Sequence, residues 1–166
     1  FSNAAGMALG AKMMGSRFNS SDISLIDSRI FVLCSDGDMQ EGIASETASW
    51  AGHLGLGNLI ALYDSNDITI AGDAGLAMSE DVGKRFEAYG WHVQHCDGHN
   101  HDEIAVCLEE SLSVANKPSL IVAKTVIGKG APTKEGTAGS HGAPLGPEEI
   151  EAAKLASGWN DKPDFH

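Results

Sequence analysis

Asp36 and Asn66 stand 30 residues apart, each at or just past the end of an apolar run. Ser35-Asp36-Gly37 closes the first run, and Tyr63-Asp64-Ser65-Asn66-Asp67-Ile68 closes the second. A carboxylate and an amide oxygen are hard donors. Brought together at two strand ends, they could hold Mg²⁺ or Ca²⁺, with backbone carbonyls, water and phosphate oxygens completing the shell. A cation beside a glycine-opened turn is a good anchor for a diphosphate. The plainer account of the same residues is that Asp36 caps a helix and Asn66 makes an Asx turn. Residue types and spacing leave both accounts open.

His141 lies in a Ser-His-Gly-Ala-Pro turn. As a neutral ring it could hydrogen-bond or relay protons near neutral pH, and as a cation it would favour phosphate. A histidine in such a turn also serves as a plain structural hydrogen bonder. Glu41 and Glu46 are five apart on one expected helix, so they do not stack as an acid/base pair. Glu41 suits a helix start. The plain account has Glu46 facing solvent, but Ala44, Thr47, Ala48 and Trp50 around it favour a crowded, buried place, which would demand a partner. His92, His95, His99 and His101 match no zinc-ligand spacing and read as surface histidines near a strand end. The Gly128–Gly136 loop lacks GxxxxGK[ST], and Gly6–Gly10 lacks a preceding strand, so neither is a nucleotide loop.

These residues need a frame, and the periodicity supplies one. Residues 1 to about 15 are rich in Ala, Met and Leu and suit a tightly packed helix. Residues 16–28 are polar and turn-like. Arg29–Cys34 reads as a strand buried on both faces of a parallel sheet. A helix follows from about Met39 to Leu54, then a second buried strand over Asn58–Tyr63 and a long loop over residues 64–78. Ser79 is placed to cap a helix reaching Tyr89. Trp91–Cys96 is a third strand. His101–Ala115 is a helix with Ile104, Ala105, Leu108 and Leu112 on one stripe, and Pro118–Thr125 is a fourth strand. Residues 127–146 form a Gly/Pro/Thr-rich loop, long enough to suggest a function. Pro147 opens a last short helix, and residues 147–166 read as that helix and the start of a linker. Alternating strands and helices specify an α/β fold, three layers α/β/α about a mostly parallel sheet.

With 166 residues, 42% of them hydrophobic, the chain can build one domain with a real core. A formal charge of −12 argues against non-specific nucleic-acid binding and against anionic membrane surfaces. No apolar run approaches the roughly 18 residues of a membrane span. Cys34, Cys96 and Cys107 are an odd set without CxxC spacing, which suggests free thiols in a reducing compartment, the cytoplasm or an organelle stroma. The chain starts inside an expected helix with neither a start methionine nor a signal peptide, and reads as a piece of a larger protein.

Several separate motifs, in order, resemble transketolase. They are Cys34-Ser35-Asp36-Gly37-Asp38-Met39-Gln40-Glu41-Gly42-Ile43-Ala44-Ser45-Glu46, Ala51-Gly52-His53-Leu54, Gly57-Asn58-Leu59-Ile60, and Tyr63 through Ile70. Lys124 through Gly130 and Ser140 through Gly146 continue the likeness. It covers essentially the whole chain, and it implies that residues 1–166 are a partial diphosphate-binding domain of the thiamine diphosphate fold. The resemblance implies Asp36, Asn66 and the Ile68 carbonyl as ligands of Mg²⁺ or Ca²⁺. It gives the Gly37 amide and His141 to the diphosphate. It casts His141, Glu41 and Glu46 as the catalytic set, the two glutamates in a network at a subunit interface near the cofactor. Ser35 replaces the usual glycine, which could tighten the turn or strain it, and Asp67 replaces a residue that is often basic.

The activity implied is transfer of a two-carbon ketol unit from a ketose phosphate to an aldose phosphate. The alternatives are a dihydroxyacetone synthase-like transfer, or a non-catalytic structural subunit that keeps the fold. The partners implied are sugar phosphates and a homodimer or a complex with the pyrimidine-binding domain. That domain and the upstream glycine-rich segment are missing from these residues, so the segment alone should be catalytically silent.

Overall fold

In a computed structural model, residues 1–159 can be described; the expected start of a linker falls mostly outside them. The helices are α1 (Ser2–Phe18), α2 (Asp36–Gln40), α3 (Gly42–His53), α4 (Val82–Ala88), α5 (His101–Ser113) and α6 (Pro147–Ala156). The strands are β1 (Ile30–Ser35), β2 (Leu59–Ser65), β3 (Ile68–Thr69), β4 (Gly72–Asp73), β5 (His92–Asp97) and β6 (Ser119–Lys124). The chain forms two compact units. The first takes Phe1–Ser65 and Glu80–Thr125, the second Asn66–Ser79 and the described residues from Val126 on.

The first unit is the α/β frame. Its sheet runs β1-β2-β6-β5, every neighbouring pair parallel. Small side chains let helices close in: α1 buries Ala4, Ala5 and Ala8, and α3 buries Ala44, Ala48 and Ala51 at helical spacing. Trp91 donates its indole N–H to the Ala48 carbonyl at 2.8 Å and packs edge-on against Phe86 of α4. At Gly52 a Cβ would collide with the Tyr89 carbonyl oxygen, so only glycine permits that approach. On the other face α5 covers β5 and β6 through Cys107, Ile104 and Leu108, packed on Ile60, Cys96, Ile121 and Ala123.

Four expectations change here. Among the described residues β1 stands at the edge of the sheet, beyond the reach of α5, and is not buried on both faces. Phe31 and Leu33, in register with Ile60 and Leu62, are 52% and 81% exposed. The helix expected from Met39 starts earlier and is split. Ser35 N–H donates to the Asp38 carboxylate at 2.8 Å, starting α2 at Asp36. Glu41 is extended (φ −70°, ψ 131°), and the Met39 carbonyl accepts from the Arg85 guanidinium at 3.0 Å rather than continuing a helical ladder. The cap of α4 is Asp81, whose carboxylate accepts from Lys84 N at 3.0 Å, not Ser79. On α5 the fully buried positions are Cys107 and Ser111, while Ala105 and Leu112 are exposed.

The second unit is built from turns. The expected loop over residues 64–78 contains the antiparallel pair β3–β4 and a 3-10 turn, Ala74–Leu76. Residues 127–146 hold one 3-10 turn, Ala138–Ser140. Glycine is required at Gly128: its φ is 64°, and a Cβ there would sit 2.7 Å from that of Ser140. Pro147 stands at the first turn of α6, as expected. No helix among the described residues is long and apolar enough to cross a membrane.

Candidate functional site

Asp36 follows the last residue of β1 and is the first of α2. The residue is buried, only 2% exposed. Tyr63, on the neighbouring strand and in register with Cys34, donates its hydroxyl to Asp36 Oδ1 at 2.7 Å. Ser35 adopts φ −134°, extended backbone open to any residue, so serine in place of glycine brings no strain there. Gly37 is exposed, and a Cβ at that position would meet nothing within 4 Å. Its backbone can therefore be approached closely by a ligand.

Arg85 holds this corner from α4. It donates to the Met39 carbonyl and to Ser45 Oγ, and pairs with Glu80 at 2.8 Å. Glu41 immediately precedes α3 and is exposed. Glu46 is exposed too, contrary to the crowded environment expected of it. Glu46 is two residues from each of the buried alanines Ala44 and Ala48. On a helix, two residues is about 200° of rotation, so it points away from them.

The remaining residues of the set belong to the second unit. Asn66 Oδ1 accepts from the Ile68 amide at 2.9 Å, the Asx turn that the plainer account of Asn66 anticipates. Between them Asp67 is exposed and left-handed, with φ 63°. That bond brings Asn66 and Ile68 together and fixes the Asp67–Ile68 peptide, the unit just before the Ile68 carbonyl. His141 caps the 3-10 turn Ala138–Ser140, donates its amide to the Ala138 carbonyl at 3.1 Å and is exposed.

All three expected metal donors are oxygens: a buried carboxylate, an amide oxygen and a backbone carbonyl. That chemistry fits Mg²⁺ or Ca²⁺ and not a soft metal. Among the described residues no three of His, Cys, Asp and Glu are placed to share a metal ion. His92 Nδ1 lies 3.2 Å from Ser119 Oγ. The three cysteines are free and buried. Burial first, then the neighbouring Asp38 charge, pushes the Cys34 thiol up to about 12, and burial pushes Cys96 up to about 11. Such thiols stay protonated and inert at neutral pH.

Tyr63 and Arg85 were not singled out from sequence. Tyr63 carries a weak signal: it continues the Leu59, Ala61, Tyr63 alternation that faces away from α5, one strand over from the Asp36 turn. Nothing local marks the part Arg85 plays at this corner: besides the ion pair with Glu80, its hydrogen-bond partners Ser45 and Met39 lie 40 and 46 residues away.

Residues 1–166 match the family described as "Transketolase, thiamine diphosphate binding domain". The transketolase of Geobacillus stearothermophilus is 48% identical over 164 residues, 98% of this chain and 25% of its own. That of Bacillus subtilis is 45% identical over 164 residues, again 98% and 25%. The solved transketolase of Campylobacter jejuni superposes with a TM-score of 0.92 at 48% identity, over 99% of this chain and 26% of its own. A Pichia stipitis transketolase complexed with sedoheptulose 7-phosphate superposes with a TM-score of 0.95 at 40% identity, over 99% and 25%. The chain thus spans about a quarter of the length of the relatives it matches.

Proposed function

The chain belongs to the transketolase family, in its thiamine diphosphate-binding domain, and from that premise we propose that it is part of the diphosphate-binding half of a ketol-transferring enzyme. The reaction is transfer of a two-carbon ketol unit from a ketose phosphate to an aldose phosphate. The observation that carries this reading is the buried Asp36 carboxylate at the carboxyl end of a parallel strand, next to the open backbone of Gly37. In open parallel sheets the carboxyl ends are where ligands sit. A buried carboxylate with no metabolic or structural use would be a costly residue to keep there.

Asp36, the Asn66 amide oxygen and the Ile68 carbonyl would hold Mg²⁺ or Ca²⁺. The Gly37 amide would donate to the diphosphate, and His141 would donate to it from the glycine-rich loop. Glu41 and Glu46, both exposed, would be available to a second subunit or to the pyrimidine-binding domain. Thiamine diphosphate, when bound, supplies the carbanion chemistry of ketol transfer. The chain's own share is to anchor its charged end and fix its orientation. Three buried free thiols accord with a reducing compartment such as the cytoplasm. Residues 1–166 are a partial diphosphate-binding domain in this reading.

The test is titration calorimetry of thiamine diphosphate with Mg²⁺, on the chain alone and with the pyrimidine-binding domain added, using Asp36→Ala as control. Metal-dependent heat that disappears in the control supports the reading. Equal binding by the control, or none by the folded chain in either condition, overturns it.

A further inference from the structure

We propose that Tyr63 is a positioning residue for the cation site: its phenolic hydroxyl sets the orientation in which Asp36 presents its carboxylate. The inference rests on the reading of Asp36 as a cation ligand. The hydroxyl donates to Asp36 Oδ1 at 2.7 Å, and both residues are buried, Tyr63 at 4% exposure. The bond crosses from β2 to the residue that directly follows β1, so it is set by the register of two parallel strands and not by a flexible loop.

The chemistry of the donor is informative. An arginine or lysine at this position would orient the carboxylate equally well but would repel an incoming divalent cation. A phenol is neutral at physiological pH, so it directs one oxygen without neutralising the charge the cation needs. Its aromatic body fills the site as phenylalanine would, which leaves the hydroxyl as the part with a separate role. Partners that orient metal-ligating carboxylates typically account for about 10–100-fold of metal affinity. Mg²⁺ demands near-ideal octahedral geometry, whereas Ca²⁺ accepts variable shells. A carboxylate released from its orientation should therefore lose Mg²⁺ more than Ca²⁺, while a general loss of stability would weaken both alike.

The experiment is calorimetry of Mg²⁺ and of Ca²⁺, each at saturating thiamine diphosphate. The proteins are the full chain, Tyr63→Phe, Asp36→Asn and the double variant. Tyr63→Phe is expected to weaken Mg²⁺ by about 10–100-fold and Ca²⁺ by less, and to add nothing once Asp36→Asn is present. Unchanged Mg²⁺ binding by Tyr63→Phe, with Asp36→Asn inactive, overturns the role of Tyr63 alone. So does an equal loss of both cations. Undiminished binding by Asp36→Asn, or none by the folded chain, overturns the cation reading beneath it and the inference together.

A measurement on the unaltered chain covers the case in which Tyr63→Phe does not fold. The buried Tyr63 hydroxyl proton should give a slowly exchanging NMR resonance that shifts when Mg²⁺ and thiamine diphosphate are added. A resonance that stays in place while the cation binds overturns the proposal.

Discussion

Asp36 is held by partners distant in sequence, and Asn66 by a neighbour two residues away. The Asp36 corner depends on Tyr63, 27 residues on, and on Arg85, which reaches Met39 across 46 residues and Ser45 across 40. These contacts exist only once β1 and β2 have paired and α4 has docked. The turn at Asn66 closes with the Ile68 amide, and Thr69 Oγ1 closes on the Gly72 carbonyl three residues later. His141 likewise closes a turn three residues long. A geometry set by long-range packing should fail when remote residues change, and a geometry set by a local turn should fail only through its own backbone.

The largest effect should come from the carboxylate itself. Asp36→Ala is expected to lower Mg²⁺-dependent affinity for thiamine diphosphate by more than the ~100-fold typical of losing an orienting partner. Calorimetry measures it, and an unchanged affinity would remove the corner from the site altogether. Next comes the remote support. Arg85→Met deletes charged hydrogen bonds to Met39 and Ser45 and the pair with Glu80, and should cost about 2–3 kcal/mol in urea unfolding. It should also weaken Mg²⁺ binding several-fold with no ligand touched. A loss of stability without any change in binding would show that α2 keeps its position unaided.

The same contrast explains what was legible in the sequence. Apolar runs and amphipathic spacing marked the sheet and most helices, and Asp36 and Asn66 at the ends of the runs, because each is signalled within a few residues; His141 was picked out chiefly by the family resemblance. The pairing of Tyr63 with Asp36 is set by strand register, and the split between α2 and α3 is set by an arginine 46 residues from Met39. Local patterns carry neither. Leu33 shows the limit from the other side. Its run of apolar neighbours signals a buried strand, but whether α5 reaches β1 is a matter of sheet order, and α5 packs on β5, β6 and Ile60 of β2 while Leu33 stays exposed. Glu46 misled for a related reason: apolar neighbours in sequence are not neighbours on a helix face.

At the local turn, smaller effects are expected, confined to the backbone. Asp67 is left-handed at φ 63°, a conformation costing an L-residue roughly 1–2 kcal/mol, with Asp and Asn paying least. Asp67→Val should destabilise by about 1–2 kcal/mol and speed exchange of the Ile68 amide, whereas Asp67→Gly should be nearly neutral. If Asp67→Gly loosened the turn as much as Asp67→Val, the side chain and not the backbone angle would be holding it.

The smallest effect lies where α6 meets the glycine-rich loop. The Glu149 carboxylate accepts from Thr133 N at 2.7 Å, from Thr133 Oγ1 at 2.8 Å and from Lys134 N at 3.1 Å. The backbone bond from Thr133 is the foremost cause holding its carboxyl below the ordinary value of 4.5. Because the folded value is the depressed one, this stabilisation is fully present above pH 4.5 and is lost as pH falls through the lower folded value. Exchange of the Thr133 amide should therefore show no excess change between pH 7 and 5, then accelerate beyond its intrinsic rate as pH drops further. Glu149→Gln should abolish that acid-dependent step, since an amide does not titrate there. The carboxylate is solvent-exposed, so the effect should stay within the loop and leave Mg²⁺ binding at Asp36 unmoved. A matching acid-induced loss of order at Asp36 would show that the two kinds of structure are not independent.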